Sequence, residues 1–140
     1  MADGLNTILG VNLVTPRGVI AHTEANSVQA PGELGEFELL PGHIPMLTAL
    51  KPGVLTIGSK AKYAVGSGYL RVDPSGAVEI LVEQAQAANE VDRSAAEKEL
   101  ATVEKQLADW GDKPTDGEYV NVRARADWAR ARIAATGGSH

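Results

Sequence analysis

The stretch Gly35-Glu36-Phe37-Glu38-Leu39-Leu40-Pro41-Gly42-His43-Ile44-Pro45-Met46-Leu47-Thr48-Ala49-Leu50-Lys51-Pro52-Gly53 alternates apolar segments with Pro-Gly punctuation. Phe37-Glu38-Leu39-Leu40 reads as a short strand that stops at Pro41-Gly42, and Pro52-Gly53 releases the next one, Val54-Leu55-Thr56-Ile57. Proline fixes its φ and lacks a donor, and glycine tolerates left-handed backbone, so each pair marks a change of direction.

The same grammar extends on both sides of this stretch. Thr7 to Val14 is a strand that ends at the turn Thr15-Pro16-Arg17-Gly18, and Val19-Ile20-Ala21 begins its return. Ser27-Val28-Gln29-Ala30 stops at Pro31-Gly32. Tyr63-Ala64-Val65 leads into Gly66-Ser67-Gly68, read as a hairpin turn or bulge, and Tyr69-Leu70-Arg71-Val72 meets the turn Asp73-Pro74-Ser75-Gly76. Val78-Glu79-Ile80-Leu81-Val82 alternates as a half-buried strand does. Short strands with turn signals at this spacing predict a β-sandwich or barrel. No sustained helical period occurs before residue 90, and six of the seven prolines fall there.

Beyond residue 90 the period changes. Leu100, Val103, Leu107 and Trp110 recur at helical spacing, with Asp92 placed to cap the start and Gly111 and Pro114 to end the helix. Thr115-Asp116-Gly117-Glu118 matches a capping box. A second helix follows, with Tyr119, Val122, Ala126, Ala129 and Ile133 on one side. The short link predicts an antiparallel hairpin. Its seams are thin and alanine-rich, so a loosely docked, releasable hairpin is expected. The chain divides into 1–90, a mostly β part, and 91–140, the helical hairpin.

Composition narrows the function. The 140 residues carry a net charge of −5 and no cysteine. Disulfides, thiolate metal sites and a cysteine nucleophile are excluded, and general nucleic-acid binding, which wants a basic surface, is disfavoured. No apolar run approaches the length of a membrane span, and the N-terminus does not read as a signal or transit peptide.

Few residues carry recognisable chemistry. His22, His43 and His140 lack ligand spacing. His43, in a turn between apolar segments, is either a structural histidine bonded to nearby backbone or a contact to a partner protein. Glu33, Glu36 and Glu38 form an acidic cluster, read either as a solvated strand edge or as a partner-facing patch; no nearby base or nucleophile gives them an acid–base mechanism. Gly66-Ser67-Gly68 precedes a strand, whereas a phosphate loop opens a helix. Arg123 and Arg130, and likewise Arg125 and Arg132, are seven apart, so each pair shares a side of the second helix, off its apolar seam. They form either a solvated face or a surface for an acidic partner or phosphate, to which guanidinium is suited.

The opening stretch resembles the signature of ATP synthase epsilon subunits, G-E-[FL]-G-[IV]-[LY]-P-G-H-A-P-L-L-T-x-[IL]-K-P-G. Glu38 stands at a glycine position and Ile44 at an alanine. Val14-Thr15-Pro16-Arg17-Gly18, Gly66-Ser67-Gly68-Tyr69 and the run Ala85 to Asp92 fit the same family. The resemblance implies a ten-stranded β-sandwich followed by an antiparallel two-helix hairpin, in a non-catalytic rotor subunit. The sandwich would sit between the gamma subunit and the c-ring, with the turn carrying Glu36 and His43 toward the ring. The hairpin, through Arg123, Arg125, Arg130 and Arg132, would reach the acidic region of a beta subunit and inhibit ATP hydrolysis. The family's ATP-binding pattern, [IL]-D-x-x-R-A, falls on Val91 to Ala96, with Ala95 at the arginine position. Only weak ATP contacts through Asp92, Arg93, Arg123 and Arg130 remain, and no cofactor or metal is expected. The implied location is the cytoplasmic face of a bacterial plasma membrane, reached through the complex. A coupling subunit without inhibition is the alternative. A small-ligand-binding β-sandwich protein or an enzyme is disfavoured for want of a nucleophile–base or metal constellation.

Overall fold

A computed structural model describes residues 8–42, 44–59 and 61–137. Ten strands come first: β1 Leu9–Thr15, β2 Gly18–Ala25, β3 Val28–Gly32, β4 Gly35–Leu39, β5 Met46–Leu50, β6 Gly53–Ile57, β7 Ala61–Val65, β8 Gly68–Val72, β9 Val78–Val82 and β10 Ala85–Ala87. A single 3₁₀ turn, Ala88–Glu90, leads to two helices, α1 Arg93–Ala108 and α2 Gly117–Ala135.

The strands form one hydrogen-bonded ladder in the order β10-β7-β6-β3-β5-β8-β9-β1-β2, with β4 on the other edge of β3. Strand β3 turns the corner: Val28 and Gln29 pair with β6, and Gly32 pairs with Leu50 of β5. The two halves of the ladder enclose one core. Alternation decides what enters it. Leu9, Val11 and Leu13 of β1, Leu70 and Val72 of β8, and Val78, Ile80 and Val82 of β9 are buried, as are Val28, Leu39, Leu50 and Leu55 from the remaining strands. Among the described residues all pairings are antiparallel but one: β1 runs parallel to β9, with Val11 opposite Val78.

Several turns behave as the sequence predicts. The β1–β2 hairpin closes at Gly18, whose φ is +129°. In the β8–β9 turn, one oxygen of Asp73 accepts from the amides of Ser75 (2.9 Å) and Ala77 (3.1 Å) and from the Ser75 hydroxyl. These bonds, that from the Ser75 side chain foremost, hold the Asp73 carboxyl below its ordinary pKa.

The structure corrects other expectations. Strand β3 does not stop at Pro31-Gly32 but runs through it, Pro31 pairing with Glu36 and Gly32 with Gly35. Two strands, Met46–Leu50 and Ala85–Ala87, join those read from the residues individually. Gly66-Ser67-Gly68 is not a hairpin turn, because β7 pairs with β6 and β10 while β8 pairs with β5 and β9. The segment carries the chain from one half of the ladder to the other. Gly68 is glycine for a steric reason: a Cβ there would lie 1.9 Å from the carbonyl oxygen of Leu81.

In the hairpin, Asp92 caps α1, its carboxylate accepting from the amide of Ala95 at 3.0 Å. Helix α1 ends at Ala108, so Trp110 lies just past it, yet the indole still closes the interhelical seam. Its Nε1 donates to the carbonyls of Lys113 and Pro114, and its ring meets Tyr119 edge-on at 5.3 Å. The capping box is not formed: the N-cap of α2 is Asp116, without a side-chain capping bond.

Helix α2 is covered on two opposite sides. Tyr119, Val122 and Ala126 pack on Leu100, Val103, Leu107 and Trp110. Ala131, Ala135 and Trp128 pack on Ala64, Val54 and Ala88 of the sheet side. Fully burying a valine or leucine stabilises by about 1.5–3 kcal/mol, against about 0.8 kcal/mol per methyl-sized group. The helix–helix seam buries Val103, Val122 and Trp110, whereas the helix–sheet contact buries alanines beside half-covered Trp128 and Val54.

The Gly68→Ala substitution should destabilise the protein by about 1–3 kcal/mol, the usual range for forced overpacking. Urea unfolding measures it, and an unchanged midpoint would refute the close approach of β8 to the Leu81 carbonyl.

Candidate partner interfaces

The four arginines of α2 do not form one patch. At about 100° per residue, Arg123 and Arg130 lie on one flank of the α1 seam, and Arg125 and Arg132 on the other. Arg125 donates through Nε (3.1 Å) and Nη2 (2.9 Å) to Glu99 of α1. Arg130 donates to Glu104 of α1 at 2.9 Å and to Asp127 at 3.2 Å. Arg123 donates to the hydroxyl of Tyr119 at 3.5 Å, and this contact is the main reason its guanidinium pKa is raised. Arg132 lies over the Trp128 ring at 5.6 Å, and its buried Nε has no hydrogen-bond partner among the described residues. Two of the four charges are thus neutralised across the hairpin by exposed ion pairs.

The candidate ATP contacts are not brought together. Asp92 is spent on capping α1. Arg93 donates to Glu97 and to Thr136, just past the end of α2. Arg123 is thirteen residues earlier on that helix, so about 20 Å of helix separate the two. Among the described residues there is no cluster of three potential metal ligands, and no helix is long and apolar enough to cross a membrane.

Glu36 lies in β4 rather than in a turn, exposed and opposite Pro31. With Glu38, Gln29 and Phe37 it lines a shallow hollow. His43 lies outside the described residues.

No motif or turn signal in the sequence marks the outer face of β5, β8, β9 and β1. Ala49 pairs with Tyr69, Tyr69 with Leu81, and Leu81 with Val14. Across the strands they make an apolar row in the outward phase, where Tyr69 is 57% and Leu81 49% exposed; Leu47 nearby is 68% exposed. A groove of about 540 Å³ runs along this row, edged by Thr15, Pro16 and Glu33. A polar row lies one step along the strands: Arg71 pairs with Glu79, which raises the arginine pKa, and Asn12 bonds His22. The missed signal was the phase itself. Tyr69 and Leu81 are large apolar residues at positions that alternation assigns to solvent, and a contiguous exposed apolar patch marks an interaction site.

Residues 8–88 match the family described as "ATP synthase, Delta/Epsilon chain, beta-sandwich domain". The chain belongs to the ATP synthase epsilon-chain family. An ATP synthase epsilon chain of Geobacter metallireducens is 39% identical over 134 residues, covering 94% of this chain and 95% of that one. The ATP synthase epsilon chain 2 of Syntrophotalea carbinolica is 36% identical over 132 residues, covering 92% and 94%. The fold of this epsilon-family chain also recurs in solved assemblies. A chain of the Euglena gracilis mitochondrial ATP synthase OSCP/F1/c-ring structure superimposes with a TM-score of 0.78 at 19% identity, covering 97% of this chain and 86% of that one. One from the Tetrahymena thermophila mitochondrial ATP synthase central stalk and c-ring gives 0.64 at 20% identity, covering 91% and 96%.

Exposed ion pairs contribute little, so a double-mutant cycle on Glu99→Gln and Arg125→Gln should give a coupling of about 0.2–1 kcal/mol that shrinks with added salt. Thermal or urea unfolding reads it; a coupling that salt leaves unchanged would contradict a solvent-exposed pair.

Proposed function

We propose that the chain is the epsilon subunit of an F-type ATP synthase, acting without bond chemistry of its own in the rotor. In this reading residues 1–90 join the gamma subunit to the c-ring, and residues 91–140 restrain ATP hydrolysis. It works at the membrane surface, on the cytoplasmic side of a bacterial cell, held there by the complex. The observation that carries the proposal is the outward apolar row of Tyr69, Leu81 and Val14 with its groove, on a chain of this family. Such a surface is costly to leave wet and suits permanent attachment to a partner such as gamma. Glu36, at the exposed end of the β3–β4 hairpin, and His43 are assigned to the ring side. Arg123 and Arg132, which form no salt bridge among the described residues, are the arginines best placed to meet carboxylates of a beta subunit. An ATP site is not part of this proposal, because Asp92 caps α1 and Arg93 is bonded to Glu97 and to Thr136, about 20 Å of helix away from Arg123.

A coupling subunit that never inhibits is the second reading. What favours it is that Arg125 and Arg130 already have carboxylate partners inside the chain.

Replacing Tyr69 and Leu81 together by glutamate should abolish recovery of gamma in a pull-down while leaving the unfolding midpoint of the isolated chain nearly unchanged, since both side chains are exposed. Retained binding would refute the assignment of this face. Deleting residues 91–140 separates the two readings: hydrolysis by the assembled complex should rise if the hairpin restrains it, and unchanged hydrolysis with assembly intact favours the second.

A further inference from the structure

We propose that the outer face of β5, β8, β9, β1 and β2 is shaped for an amphipathic helix lying across the strands, with its apolar stripe on a row that ends at Val19 and its basic flank toward Glu33 and Glu83. This rests on the reading of that face as a partner surface and adds what the partner must present. The apolar row does not stop at β1. Between Leu13 and Val14 the β1–β2 register shifts: Leu13 pairs with Ala21 but Val14 with Val19, so Ile20 is an extra residue in β2. Such a bulge re-aims the side chains beside it. It takes Val19 out of the inward phase of Ala21, which packs on the core, and sets it beside Val14 at the sheet edge, 64% exposed. Ala49, Tyr69, Leu81, Val14 and Val19 then form one row over five strands.

A helix fits this row and an extended segment does not. Neighbouring strands are about 4.8 Å apart, so the two ends of the row are about 19 Å apart. A helix offers one stripe residue per turn of about 5.4 Å and stays nearly in step with the strands over about 13 residues. An extended chain repeats at about 6.8 Å per two residues and falls out of step within two strands. Its amides and carbonyls would also face Tyr69 and Leu81 without partners, whereas a helix satisfies its own. Charge fixes how the helix is turned about its axis. One rim of the groove carries Glu33 and Glu83, both exposed, and no salt bridge among the described residues uses either. The polar row on the other side is already satisfied, Arg71 by Glu79 and Asn12 by His22. Lysine or arginine therefore belongs on the flank toward the two glutamates, and neutral polar residues on the other.

A fluorescent peptide of about 14 residues, with leucines at helical spacing and lysines along one flank, serves as the probe against the full-length chain. By anisotropy its affinity should exceed that of the same peptide with glutamates on that flank by about ten-fold or more. Because the chain carries a net charge of −5, attraction alone would favour any basic peptide, so Val19→Glu is the deciding variant. It adds negative charge at the end of the apolar row, yet should weaken binding of the lysine peptide by about ten-fold or more if the stripe sits there. Unchanged or tighter binding overturns the proposal. So does equal binding of the two peptides, or of a proline-broken peptide of the same composition. Leu81→Glu repeats the comparison should Val19→Glu fold poorly. If gamma is still recovered by the Tyr69 and Leu81 double variant, the assignment of gamma to this face fails, while the peptide ratios still decide what the face accepts.

Discussion

Helix α2 has to be buried on two opposite sides at once, and the rest of the C-terminal part follows from how it does so. A helix with one buried stripe can fill it with leucine and leave the rest polar. A helix that meets another helix on one side and a sheet on the other carries two opposite apolar stripes and leaves only its flanks to solvent. Alanine permits close approach on both faces. Val122 and Tyr119 face α1, and Trp128 stands among the alanines on the sheet side. The arginines occupy the flanks, where their stems cover apolar surface and their heads reach either solvent or the glutamates of α1.

The sandwich resolves a different conflict. Its inner positions are filled by Leu, Ile and Val of most strands, with β2 adding only half-buried Ala21 and Ala25, so the core is closed without the outer face. That face is free to carry Tyr69, Leu81 and Leu47. Gly68 fits this economy: the chain passes so close to β9 that no side chain is possible there, which brings the Tyr69 and Leu81 rows into register.

Much of this was legible in the residues. The turns at Thr15–Gly18 and Asp73–Gly76 carry their own chemistry, a left-handed glycine and an aspartate that bonds its neighbours' amides, and they fall where expected. The ten-strand total came from family resemblance, not from patterning, for identifiable reasons. Met46–Leu50 is hemmed by prolines that mask its alternation, and Ala85–Ala87 is too small and too short to show any. Pro31 sits at a ladder position where its missing donor is not needed, so a breaker signal marked a strand that in fact continues. Gly66-Ser67-Gly68 carries the composition of a turn, but composition cannot tell a hairpin from a crossover. Trp128, Ala131 and Ala135 recur at helical spacing too, but two of the three are alanines, which are common on exposed helix faces and do not by themselves mark a buried stripe. The partners of the arginines were out of reach, since Glu99 and Glu104 are 26 residues away from Arg125 and Arg130 in the chain.

The parallel pairing of β1 with β9 has a consequence for how the chain assembles. Strand β1 is made before its partner β9, in which Val78 follows Val11 by 67 residues. Until then both outer edges of the β1–β2 hairpin are open and its leucines have no lid. Contacts of such long sequence separation close slowly, so the sandwich cannot be finished from its beginning; it is completed from its end. The emerging chain must reach β9 before β1 acquires a second neighbour, and until that moment the exposed edge of β1 is open to pairing with the wrong chain.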